Sequence, residues 1–168
     1  VLRPGDALVL FGCLPDARYY ATQTNVYARW NVFDDVDEAR LWFPEVAIID
    51  PLNRETLRTS PRGVAAPYLA STVVVTTTDE QTYNDVAAAF VAAGADADSI
   101  NLDALDESKM YVSDGEWRVD LPDTLMTLAR LNGVIDAAAT AVWANATTQH
   151  ALLLRRKTPR SLAPAPVP

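Results

Sequence analysis

The sequence predicts an α/β or α+β domain, built on a single mixed sheet of about five to seven strands with two to three packed helices. Two observations support this fold class. Residues 71–103 have the pattern of a strand, a helix and a second strand, and short apolar or β-branched runs precede and follow them. A strand–helix–strand unit is typical of a sheet that carries a helix on one face.

The strand of this central unit is predicted by residues 72–78, which are β-branched at every position. Three consecutive valines at 73–75 indicate that both faces of the strand are covered. Thr78 and Asp79 follow, and their side-chain oxygens can accept hydrogen bonds from the free N–H groups at a helix start.

The helix of the unit is predicted over residues 82–93. Val86, Phe90 and Ala93 recur at helical spacing, and Gly94 is the residue type that usually ends a helix. We therefore expect Phe90 to be buried in the core. Residues 99–102 then predict a return strand.

The beginning of the chain predicts strands. Residues 7–11 form a short apolar run that indicates a buried strand, and residues 19–29 are rich in Tyr, Thr and Val without Gly or Pro. In this second strand the alternate positions from Tyr20 to Ala28 share one face, and neither face is cleanly apolar. Such a strand is typical of a sheet edge, or of a surface that faces a ligand or partner.

Residues 30–43 predict a short amphipathic helix instead. Val32, Val36 and Ala39 lie at helical spacing, acidic residues crowd the first half, and Pro44 ends the segment.

The C-terminal part alternates between strands and a helix. A hairpin is predicted over residues 110–119, and residues 124–131 fit either a helix or a strand. Asp136 is expected to begin an alanine-rich helix, and residues 150–157 a last strand. We expect residues 1–157 to form a single globular domain and residues 158–168, which are rich in Pro and Ala, to form an extended tail or linker.

Composition excludes several classes of protein. The chain has 168 residues, a formal net charge of −8 and a pI near 4.5, whereas nucleic-acid binding requires a basic surface. The sequence has no apolar run long enough to cross a membrane. A single cysteine excludes an intramolecular disulfide. Because the sequence opens at Val1 rather than at methionine, we expect a processed or truncated piece of a larger protein.

Catalytic and metal-binding motifs are missing from the sequence. It has no glycine-rich phosphate loop and no nucleophile elbow, and one His with one Cys cannot form a zinc site. We therefore predict no cofactor, no metal and no catalytic residues. The enzyme alternative is a small hydrolase-like site that uses Cys13 or His150 with a carboxylate such as Asp16 or Asp79.

Aromatic side chains are concentrated near the predicted long strand, and such residues are enriched where protein surfaces meet. The candidate interaction residues are Tyr19, Tyr27, Trp30, Phe33, Trp42 and Phe43. The sequence thus favours a non-catalytic acidic interaction or assembly module, whose partner is another copy or the rest of a larger protein or complex. Besides the enzyme, the remaining alternative is a small-molecule-binding domain that uses the aromatic segment 30–43.

Overall fold

The computed structural model describes residues 2, 5–15, 17–33, 36–42, 46–47, 51–53, 55–60, 70–106, 124–145 and 149–157. The strands are β1 (Ala7–Cys13), β2 (Ala17–Phe33), β3 (Val36–Trp42), β4 (Val46–Ala47), β5 (Leu52–Asn53), β6 (Ser71–Thr77), β7 (Ile100–Ala104), β8 (Thr124–Val134) and β9 (Gln149–Leu154). The helices are α1 (Glu80–Ala92), α2 (Ala137–Asn145) and the short 3₁₀ helix Ala97–Ser99. None of the helices in these ranges has the length and apolar character needed to cross a membrane.

The architecture is mixed α+β, but it contains two sheets instead of the predicted single one. The first sheet has four strands in the order β7-β6-β1-β9, and the second is built around β2, which pairs with β3, β4, β5 and β8. The physical reason for the difference is that β2 packs face to face on the first sheet instead of joining its edge. Sheet-on-sheet packing covers the apolar faces of both sheets at once.

The predicted strand–helix–strand unit is confirmed in the first sheet. β6 and β7 are parallel, with Val73 opposite Ile100, and α1 connects them. β1 runs antiparallel to both β6 and β9. The predicted strand at residues 7–11 and the predicted last strand are therefore also present, as β1 and β9.

Helix α1 begins where the sequence indicates. The Asp79 carboxylate accepts a hydrogen bond from the Thr82 amide at 3.0 Å, and Gly94 ends the helix with a φ of 101°. Val86 is buried against Val73 and Val75. Phe90 is only half-buried, which corrects the expectation of full burial. It lies at the rim of the core, in an edge-to-face contact with Phe11 whose ring centroids are 5.2 Å apart.

β2 is an interior strand, so the expectation of an edge strand is wrong. Asn25 and Val26 each pair with β4 and with β8, so both edges of β2 are occupied there. The face predicted to run from Tyr20 to Ala28 faces the first sheet at three of its positions. Tyr20 packs with Val74, the Thr24 hydroxyl bonds to Asp103, and Val26 packs with Leu105. The mixed character of the strand reflects hydroxyls that are buried between the sheets.

The helix predicted over residues 30–43 is also wrong. β2 continues to Phe33, and β3 returns antiparallel to it with Trp42 opposite Arg29. A few apolar positions of this segment have helical spacing, yet the segment forms a hairpin. β-branched and aromatic residues favour strands because they pack well against cross-strand neighbours. At residues 124–131 the open choice resolves to a strand, which runs on through Gly133.

The layers are α1, the first sheet and the second sheet. Val73 and Val75 face α1, whereas Val74 packs with Leu14 and Tyr20 on the opposite face, toward β2. Helix α2, which begins after Asp136 as expected, is anchored through the Trp143 indole N–H, which donates to the Cys13 carbonyl at 2.8 Å. The hairpin predicted over 110–119 and the tail over 158–168 lie outside the described residues.

Candidate functional site

The predicted aromatic interaction residues divide into two groups. Tyr19 and Tyr27 lie on β2 with 40% and 36% of their surface exposed, and Tyr27 lies at a bulge where the pairing with β8 shifts. The described side chains do not include the remaining four: Trp30, Phe33, Trp42 and Phe43. An interaction through this aromatic set therefore stays a prediction.

The enzyme alternative brings together only part of its site. Cys13 lies on β1 and His150 lies on the neighbouring strand β9. The residue of β1 directly opposite His150 is Phe11 and not Cys13. The His150 ring stacks on Phe11 with a centroid separation of 5.0 Å. Asp79 follows β6 at the opposite end of the sheet from Cys13, since Ser71 at the start of β6 is the partner of Cys13.

Asp79 has a structural role at that distant end. Its carboxylate caps α1 and forms an ion pair with Arg156 at 3.5 Å. Asp16, the other candidate carboxylate, lies outside the described residues. Within the ranges that the structure describes, no cluster of three His, Cys, Asp or Glu side chains could hold a metal ion.

Cys13 is half-buried at the end of β1, and its carbonyl also accepts a hydrogen bond from the Gln149 amide at 3.2 Å. We expect its thiol to react slowly with a thiol reagent in the native protein and quickly after unfolding, because the folded environment restricts access. Labelling followed by mass spectrometry checks this prediction. Native labelling as fast as that of the unfolded chain would instead support the nucleophile interpretation.

The outer edge of the first sheet, formed by β9, is a second candidate surface. The sheet order places β9 at an edge, and no other described strand pairs with its outer side. All six residues of β9 are exposed. Three of them are consecutive leucines, Leu152, Leu153 and Leu154, with 43%, 47% and 37% of their surface exposed. We call β9 with these leucines the leucine edge.

Further apolar side chains are exposed close to this strand in the sequence. Val134 is the last residue of β8, Ile135 follows it, and Val142 lies on α2, with exposures of 43%, 58% and 59%. Apart from Asn145 and Thr140, α2 consists only of alanine, valine and tryptophan. An exposed, almost wholly apolar helix and an apolar edge strand are features of a surface that is covered in an assembly.

The charge beside the leucine edge is opposite in sign to that of the whole chain. Arg155, Arg156 and Lys157 follow β9 directly, whereas the chain has a net charge of −8. Arg156 is tied to α1 through Asp79, and its amide donates to the Asp6 carboxylate at 3.2 Å. The leucine edge therefore has a basic end.

Comparison with known proteins gives no functional assignment. No protein-family model matches the sequence, and no curated protein or solved structure is significantly similar to it.

Proposed function

We propose that the protein is a non-catalytic assembly module in which β9 of one copy pairs antiparallel with β9 of a second copy. The observation that supports this most is the leucine edge, an outer strand with three exposed leucines. Its outer N–H and C=O groups, which pair with no other described strand, form a template for another strand. Pairing would join two four-stranded sheets into one continuous sheet.

A second copy fits this edge because a two-fold axis makes the edge its own complement. In an antiparallel pair the leucines of one β9 meet the same segment of the other. The basic residues 155–157 then lie at opposite ends of the pair, whereas a parallel pair would place like charges side by side. Each basic end lies instead beside the start of the other β9, near the C-terminal end of α2, where the helix dipole is negative.

Net charge opposes this association. Two copies with a net charge of −8 each repel one another, and the repulsion is strongest at low ionic strength. Moderate salt should therefore strengthen self-association by screening, while the apolar contribution of the leucines is retained. This salt response distinguishes apolar edge pairing from an association held by ion pairs, which salt would weaken.

Substitution of the leucine edge tests the proposal. Leu152 and Leu154 lie on the same face of β9, so the double variant L152K/L154K places four lysines at the junction of two copies. We expect the dissociation constant of the dimer to rise by about 100-fold or more, because strand pairing would desolvate those charges. Sedimentation equilibrium at two salt concentrations measures this change.

The matched control is Val91→Lys. Val91 lies in α1 and not in β9, and its exposed fraction of 44% is close to the 43% of Leu152. The control should dimerise like the unsubstituted protein. An equal loss of dimer in both variants, or a dimer that L152K/L154K leaves intact, would reject the leucine edge as the interface. A strict monomer in every condition would reject self-assembly and move the enzyme alternative with Cys13 and His150 to first place.

A further inference from the structure

A cavity of about 170 Å³ lies between the two sheets, close to the leucine edge. Its walls carry both leucines and threonines: Leu2, Leu8, Thr24, Thr76, Thr124, Leu125, Thr127 and Leu153. Thr24 and Thr76 are almost completely buried and form the inner end, whereas Thr124 and Leu153 are exposed. The cavity thus has apolar walls and a floor of threonine side chains.

A carboxylate lies behind this floor. Oδ2 of Asp103 accepts a hydrogen bond from the Thr24 hydroxyl at 2.8 Å and another from the Thr76 hydroxyl at 2.9 Å. The Thr24 hydroxyl is also 3.0 Å from the hydroxyl of Thr127. Hydrogen bonds therefore link threonines of β2, β6 and β8, which line the cavity, to the Asp103 side chain of β7.

The directions of these hydrogen bonds determine what the floor can bind. A hydroxyl has one proton, and Thr24 and Thr76 both donate theirs to Asp103. Thr127 must therefore be the donor in its contact with Thr24. All three hydroxyl protons are engaged, and what remains for a ligand is lone pairs. The floor accepts hydrogen bonds and does not donate them.

The electrostatics point the same way. Asp103 is only 4% exposed, and among the described residues no Lys, Arg or His side chain forms an ion pair with it. Burial raises the pKa of its carboxyl group, while the hydrogen bonds from Thr24 and Thr76 favour the charged form. A cation in the cavity would interact favourably with this carboxylate across a single layer of threonines.

We propose that this cavity binds a small aliphatic cation of the primary alkylammonium class. The ammonium group donates to the hydroxyl oxygen of Thr127, which is only partly buried, and the hydrocarbon chain contacts Leu8 and Leu125. Because a cavity of about 150 Å³ holds a molecule as large as benzene, a chain of about four to six carbon atoms fits. We expect no binding of a carboxylate ligand, since it would be repelled by the Asp103 carboxylate behind the floor.

Titration with three ligands of similar size and different head groups tests this proposal. The full chain is titrated with n-butylammonium chloride, n-butanol and sodium butyrate at constant pH and ionic strength, and amide chemical shifts are followed by NMR. We expect saturable shifts at the cavity residues, with n-butylammonium binding at least about tenfold more tightly than n-butanol because its hydrogen bonds are charge-assisted. Sodium butyrate should cause no saturable shift. Equal binding of all three, or no saturable shift with n-butylammonium, overturns the proposal.

Two variants identify the groups responsible. Thr127→Val keeps the side-chain shape and removes one acceptor, so the affinity for n-butylammonium should fall by about tenfold. Thr78→Val is the matched control, because the Thr78 hydroxyl is buried without a hydrogen-bond partner among the described residues and does not line the cavity. The control should leave the affinity unchanged. An unchanged affinity in a folded Thr127→Val variant, or an equal loss in both variants, contradicts the proposed site.

Asp103→Asn tests the contribution of charge. It should abolish the preference for n-butylammonium over n-butanol, since the amide oxygen still accepts the two threonine hydrogen bonds without a negative charge. A folded variant that keeps the preference overturns the electrostatic argument. If this variant does not fold, the result for Thr127→Val decides.

Discussion

Replacing Ile100 by alanine is expected to lower the free energy of unfolding by about 2–5 kcal/mol, the largest effect of a single substitution that we predict for this protein. Ile100 begins β7 and is only 2% exposed. It packs with Val73, Val75 and Val86, so its side chain fills the space between the first sheet and α1. Truncation would leave a cavity that these β-branched neighbours cannot close by rotation.

A denaturant titration measures this loss, with Val91→Ala as the control. Val91 lies in α1 with 44% of its surface exposed, so its truncation should change the free energy of unfolding by less than about 0.5 kcal/mol. Ile100→Ala could instead lower the free energy of unfolding by less than about 1 kcal/mol, with an unchanged dependence of that free energy on denaturant concentration. The layer between β7 and α1 would then not be the main core.

Phe90→Ala is expected to have the second largest effect, about 3 kcal/mol. Truncation of a core phenylalanine costs about 3–5 kcal/mol, and the half-burial of Phe90 places it at the lower end of this range. Its edge-to-face contact with Phe11 accounts for about 0.5–1.5 kcal/mol of the effect.

A double-mutant cycle with Phe11→Leu isolates that aromatic contribution. Phe90→Leu serves as the control and should cost less than Phe90→Ala, because it keeps part of the apolar contact. A loss below about 1 kcal/mol for Phe90→Ala would mean that the C-terminal half of α1 contributes little to the core.

The elements that the sequence predicts correctly are those whose signals are local. The β-branched run at 72–78, the Asp79 cap and Gly94 identify β6 and α1 without knowledge of any partner. The segment 30–43 shows the opposite case. Its helical spacing is real, but its first residues continue β2 and its later residues pair back on β2 as β3.

The number of sheets and the edge strand are properties of the whole topology. β2 has the mixed pattern of an edge strand, yet Asn25 pairs on both sides, and its buried hydroxyls face the other sheet. Leu152 to Leu154 read as an ordinary apolar strand, because their exposure follows from the order β7-β6-β1-β9, which no local pattern contains.

No local pattern in the sequence indicates the cavity either. Thr24 and Asp103 are 79 positions apart, and in the sequence Asp103 stands close to two other acidic residues, Asp96 and Asp98, a pattern typical of a solvated surface. Only the packing of the two sheets places the hydroxyls of Thr24 and Thr76 on the same carboxylate oxygen.

Hydrogen exchange of the β9 backbone amides, followed as a function of protein concentration, tests the assembly proposal most directly. Amides of Gln149–Leu154 that point away from β1 should exchange fast in dilute solution and become protected as the dimer forms, because the second β9 then accepts their hydrogen bonds. Exchange in α1 should not change over the same range. If these outer β9 amides exchange equally fast at concentrations where sedimentation shows a dimer, the two copies meet elsewhere and the edge-pairing account is contradicted.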